Sequence, residues 1–235
     1  MSVAERSYLG DYPIAAEAGI VERAEFIKKT YVHLGGAIGA FVALEAVLIN
    51  LPGVGAIAEK MFTGYNWLFV LGGFMLVSYV ADRWAQSSVS PGMQYLGLGL
   101  YVVAEAVIFV PLLYFASEQS PQVIPTAATM TVLLFGALTA IVFTTRKDFS
   151  FLGPALWLGG VVAIGYMVCG MIFGFSLGTV FTVLMIALAA GYVLYYTSKV
   201  LHNYRIDQHV AASLALFASI ALLFWYILRL VMSRE

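Results

Sequence analysis

The chain is short of charge and of cysteine, and each shortage excludes a class of protein. Only 11% of its 235 residues are Asp, Glu, Lys or Arg, where soluble domains carry about 25%. A single cysteine, Cys169, excludes an internal disulfide framework and a cysteine-based metal cluster. Set in an apolar run, Cys169 reads as a small buried hydrophobe. A net charge of -1 offers no field for a nucleic-acid partner. Residues 1–24 hold acidic side chains and no apolar core segment. They read as a short cytoplasmic tail, not a cleavable signal peptide.

What the chain has instead is apolar length. Hydrophobic residues make up 62% and mean hydropathy is +0.91, against about 45–50% apolar in soluble domains. A membrane-spanning helix needs about 20 apolar residues. Runs at 30–50, 66–81, 95–115, 127–145, 154–173, 179–197 and 210–231 qualify. Helices, not strands, follow from run length and from the need to pair backbone groups within each segment. The expected fold is an all-α, seven-helix membrane bundle. It has a tail at 1–25 and one membrane domain at 26–235, with no room for a soluble domain.

Loop charges set orientation. Nine of the 12 basic residues fall on one side: Arg6, Arg23, Lys28, Lys29, Arg83, Arg146, Lys147, Lys199 and Arg205. The other side has Lys60, Arg229 and Arg234. The positive-inside rule places the N-terminus in the cytoplasm. The pairs Gly35 with Gly39, and Gly170 with Gly174 and Gly178, have a spacing that permits close helix contact.

Ionisable groups at membrane depth are costly and mark functional candidates. Glu105 lies near the middle of the third span, six residues before Pro111, whose missing N–H frees a carbonyl nearby. It is a candidate ion or proton site, or else a protonated carboxyl hydrogen-bonded to a neighbouring helix. Glu45 lies nearer the outer end of the first span and is expected to snorkel toward water. His33 reads as a hydrogen-bonded packing residue. Asp82 with Arg83, and Arg146, Lys147 and Asp148, flank helix ends as interfacial anchors or as parts of a gate. His202, Asp207 and His209 suit a metal by type, but further ligands are not evident, so no metal and no cofactor is expected. Gly174-Phe-Ser176-Leu-Gly178 fits the serine-hydrolase elbow pattern. That pattern has meaning only between a strand and a helix, so it is read here as a turn and no catalytic residue is assigned.

The segments Phe26-Ile-Lys-Lys-Thr-Tyr31, Ala104-Glu105, Leu138-Thr-Ala140 and Thr144-Thr-Arg-Lys-Asp-Phe-Ser-Phe-Leu-Gly153 resemble the Bax inhibitor-1 family. So do Tyr195 to His202 and the closing Leu214-Ala-Leu-Phe217 and Leu223-Phe224 stretches. The loop at 144–153 is the most specific part, and the bacterial YccA-like branch is the most similar. The resemblance implies seven helices with the last at the centre of the bundle. It also implies, in calcium-leak members, two aspartates on the sixth and seventh spans held by an arginine of the second. Those positions correspond to Tyr196 and Ser219, neither a carboxylate. The aspartate gate is therefore not expected, and a neutral Tyr196–Ser219 hydrogen bond is expected in its place. For the YccA-like branch the resemblance implies a non-enzymatic protein of the bacterial inner membrane. Such a protein modulates, and is a substrate of, the membrane protease FtsH, engaged through an exposed tail. A proton or calcium leak through Glu105, and a subunit docked on another membrane complex, stand as alternatives.

Overall fold

The computed structural model describes residues 12–87 and 90–234. Its helices are α1 (Ile20–Leu48), α2 (Val54–Phe62), α3 (Asn66–Ala85), α4 (Pro91–Gln119), α5 (Val123–Thr145), α6 (Gly153–Phe173), α7 (Gly178–His202) and α8 (His209–Met232). All but α2 are long and apolar enough to cross a membrane, which gives seven candidate spans and meets the expected fold class. Nothing in the hydropathy pattern announced α2, a nine-residue helix in the loop after the first span. Gly53 turns into it with φ +81°, a conformation that glycine adopts without steric cost.

α1 starts well before its apolar run. The Glu22 carboxylate accepts the Gly19 N–H at 3.3 Å, and Lys29 pairs with Glu25 at 2.8 Å one turn apart. The expected tail at 1–25 is thus helical from Ile20, because hydropathy marks the lipid-facing part of a helix and not its ends. Ahead of α1, Ala15 N–H donates to the Tyr204 carbonyl at 2.8 Å, and Ile206 N–H to the Pro13 carbonyl at 3.2 Å. The Arg23 guanidinium donates to the Leu201 carbonyl at 2.9 Å. In its described part the tail is therefore clamped to the α7–α8 loop, not free. Residues 1–11 lie outside the described residues.

Two helices form the centre. Buried positions make up 67% of the apolar window of α4 and 56% of that of α8, against at most 22% in any other span. The family resemblance led to the last helix as the centre; α4 joins it. Phe109 links the two, stacking on Phe224 at 5.7 Å and meeting Trp225 edge-on at 4.9 Å. Outward faces are apolar too, since lipid is as apolar as leucine. For that reason Cys169, expected inside, is exposed.

The tight seam is not where the glycine spacing pointed. Gly35 and Gly39 have nothing within 4 Å of a notional side chain, and Gly174 and Gly178 take φ of +73° and +64° in the α6–α7 turn. The close approach is at Gly97. A Cβ there would lie 2.5 Å from the Ala81 carbonyl oxygen and 2.5 Å from the Ala85 nitrogen, so α3 and α4 cross there nearly backbone to backbone. Pro111 does not end α4, which continues to Gln119. Arg146 is the only non-glycine among the described residues with positive φ, +51°, and it closes α5.

Candidate functional site

α4 carries Tyr101 and Glu105 one turn apart, hence on one face, and both are buried. Tyr101 and Glu105 line the same cavity. Glu105 opens onto a cavity of about 490 Å³ walled by α3, α4, α6, α7 and α8. Tyr196 of α7 and Ser219 of α8 line the same cavity. The structure therefore brings Glu105 and the two substituted positions into one space, which sequence order does not reveal.

Glu45 departs from expectation. It does not snorkel: it is 5% exposed, and neither carboxyl oxygen has a hydrogen-bond donor among the described residues. α1 packs on α4 here, with Phe41 edge-on to Phe109 at 5.2 Å. The side chain is thus turned inward. Two buried carboxyls, absent at the positions the family suggested, are present on α1 and α4 instead.

The expected Tyr196–Ser219 bond is not made. The Ser219 hydroxyl donates to the Ala215 carbonyl at 2.7 Å within its own helix, the usual habit of a helical serine. Asp82 and Arg83 do not pair either, because adjacent helical residues point in different directions. Asp82 accepts from the Gln86 amide at 2.6 Å. Arg83 donates to the Tyr79 hydroxyl at 3.1 Å.

The loop at 146–148 is stapled to the end of α7. Phe149 N–H donates to the Ser198 hydroxyl at 2.8 Å, and that hydroxyl contacts Asp148 Oδ1 at 3.3 Å. Asp148 Oδ1 also accepts the Ser150 N–H at 2.8 Å. The Ser150 amide holds the Asp148 carboxyl below the usual carboxylate range, with the Ser150 and Ser198 hydroxyls and His202 adding to it.

Two clusters escaped sequence reasoning. The Lys199 ammonium lies 5.3, 5.8 and 5.1 Å from the ring centres of Tyr195, Tyr196 and Tyr204, within cation–π range. The Tyr-rich stretch before Lys199 was the available signal. His33, far from alone, meets the Tyr95 hydroxyl at 3.1 Å, which meets His209 at 3.4 Å; their separation in sequence hides this. His202, Asp207 and His209 do not converge. His202 Nδ1 contacts the Ser198 carbonyl at 3.0 Å, and Asp207 binds Arg205 at 2.7 Å.

A sequence model of the family described as Inhibitor of apoptosis-promoting Bax1 matches residues 23–235. The chain belongs to the Bax inhibitor-1 family, and with its seven apolar spans it is a multi-pass membrane protein. It is similar to Modulator of FtsH protease YccA of Escherichia coli, 27% identical over 198 residues, 83% of each chain. It is similar to Protein LIFEGUARD 4 of Arabidopsis thaliana, 26% identical over 232 residues, 95% of this chain and 90% of that one. An uncharacterised Pseudomonas aeruginosa protein is 33% identical over 125 residues; that match spans 50% of this chain and 53% of the relative. No solved structure matches the chain.

Proposed function

We propose that this chain is a non-enzymatic protein of the bacterial cytoplasmic membrane that modulates the membrane protease FtsH. The observation that carries the reading is the 27% identity, over 83% of both chains, to a protein named for that role. The bundle suits a regulator more than a catalyst. Glu105 is its buried carboxyl facing a cavity. Contact runs through helix faces and through the end of the tail beyond the clamp at residues 13–15. The test is affinity purification from native membranes, with the half-life of an FtsH membrane substrate measured in cells with and without the chain. FtsH in the eluate and a changed half-life support it. Absence of FtsH with an unchanged half-life sinks it, and a stable complex without FtsH favours an accessory subunit instead.

The two buried carboxyls, Glu45 and Glu105, favour a second reading, a proton leak. Proton flux into liposomes, compared for the wild type and Glu105→Gln, decides it. Flux unaltered by the substitution sinks that reading.

A further inference from the structure

The cavity beside Glu105 has a one-sided chemistry that modulation of a protease does not use. Among the described residues Glu105 is the one carboxyl on its lining, and no Lys, Arg or His lines it. Trp67, Phe74, Tyr192, Trp225 and Tyr226 contribute aromatic rings to its wall, and ring faces carry negative potential. Met75 of α3 and Ile164 of α6 both line it and are exposed, so the cavity opens sideways at membrane depth. Its volume of about 490 Å³ falls within the range of about 300–1,000 Å³ typical of small-molecule sites.

Most ligand classes fail against this lining. An anion meets a carboxyl and no positive partner. A bare calcium ion needs about 6–8 oxygen ligands, where the lining offers one carboxylate and scattered hydroxyls. A sugar or nucleotide would leave most of its polar groups unpaired. A monocation shielded by apolar groups satisfies all three features: its body fills an apolar cavity, its charge meets Glu105, and rings surround it. Such molecules partition into bilayers and reach a lateral opening.

We propose that the cavity binds lipophilic organic cations, with Glu105 as the counter-charge. This goes beyond the FtsH reading and does not depend on it. The test is equilibrium binding of radiolabelled tetraphenylphosphonium to the purified chain in nonionic detergent. Tetraphenylborate, of the same shape and opposite charge, is run in parallel, and binding to protein-free micelles is subtracted from both. Saturable phosphonium binding is expected, with the borate weaker by at least about tenfold. Glu105→Gln is expected to weaken the phosphonium by at least about tenfold as well, while Glu105→Asp retains most of it. Equal affinity for the two ions in the wild type overturns the proposal with no variant needed, because it marks a cavity that accepts apolar molecules regardless of charge. Unchanged phosphonium binding by Glu105→Gln overturns it too.

Discussion

The end of the bundle that carries the loop at 146–148 and the interior of the spans treat carboxyls in different ways. At the loop end several such groups are tied. Ser198 serves the Phe149 amide and Asp148, Arg205 binds Asp207 through two nitrogens at 3.0 and 2.7 Å, and Arg23 caps a carbonyl of α7. Within the spans Glu45 has no donor among the described residues, and Glu105 faces a cavity. Polarity near water costs little and can be spent on structure. A buried carboxyl without a partner lowers stability. That the interior holds Glu45 without a donor and Glu105 against a cavity teaches where to look for function: in the layer that stability alone would have made apolar.

The largest expected effect would break the comparison by disturbing both regions. Gly97→Leu forces a side chain into the backbone of α3, which carries Asp82 at one level and Trp67 and Phe74 of the cavity wall at another. A loss on the order of 3 kcal/mol or more is expected, seen as failed accumulation or a collapsed melting transition in detergent. Next comes the interior taken alone. Glu45→Met is expected to raise stability by about 1–3 kcal/mol, since it removes an unpaired buried carboxyl; a lowered melting temperature would show that Glu45 has a partner after all. At the loop end the sign reverses. Ser198→Ala leaves the Phe149 amide without its acceptor and is expected to cost about 1–2 kcal/mol, with faster amide exchange at 149–150.

The smallest effect is the pH response of the staple. The carboxyl of Asp148 titrates lower in the folded chain than in the unfolded one. Its contribution is present in full above the unfolded value, about 3.9, and is lost as pH falls through the folded one. Amide exchange at Ser150 should therefore quicken in acid, and Asp148→Asn should abolish that dependence. The effect is small because Asp148 is exposed and water screens it.

Much of the fold was legible because lipid imposes a length and a polarity on each span. The runs ending at 145 and 173 agree with the helices Val123–Thr145 and Gly153–Phe173 at their far ends. The start of α1 was not legible, because a helix stabilised by Glu22 and a Glu25–Lys29 pair needs no hydropathy. Glycine spacing misled at Gly35 and Gly39, since a permissive spacing does not say which face meets a partner. Of the candidate site, Glu105 stood out as a charge at depth. Its neighbours Tyr196 and Ser219 were known only as aligned positions. Glu45 was misjudged because height within a span does not reveal the direction in which a side chain points.

The sequence by itself determined that this chain crosses a membrane, how many times, and which family it belongs to. Those follow from hydropathy, length and the wording of one loop, all local properties that a bilayer enforces on each segment separately. Only the tertiary structure decided that α4 joins α8 at the centre, that Glu45 turns into the bundle, and that a cavity lined by aromatic rings opens beside Glu105. Those depend on how each helix rotates about its axis. Where lipid and core are equally apolar, hydrophobicity does not set that rotation; close contacts such as Gly97 against Ala81 do.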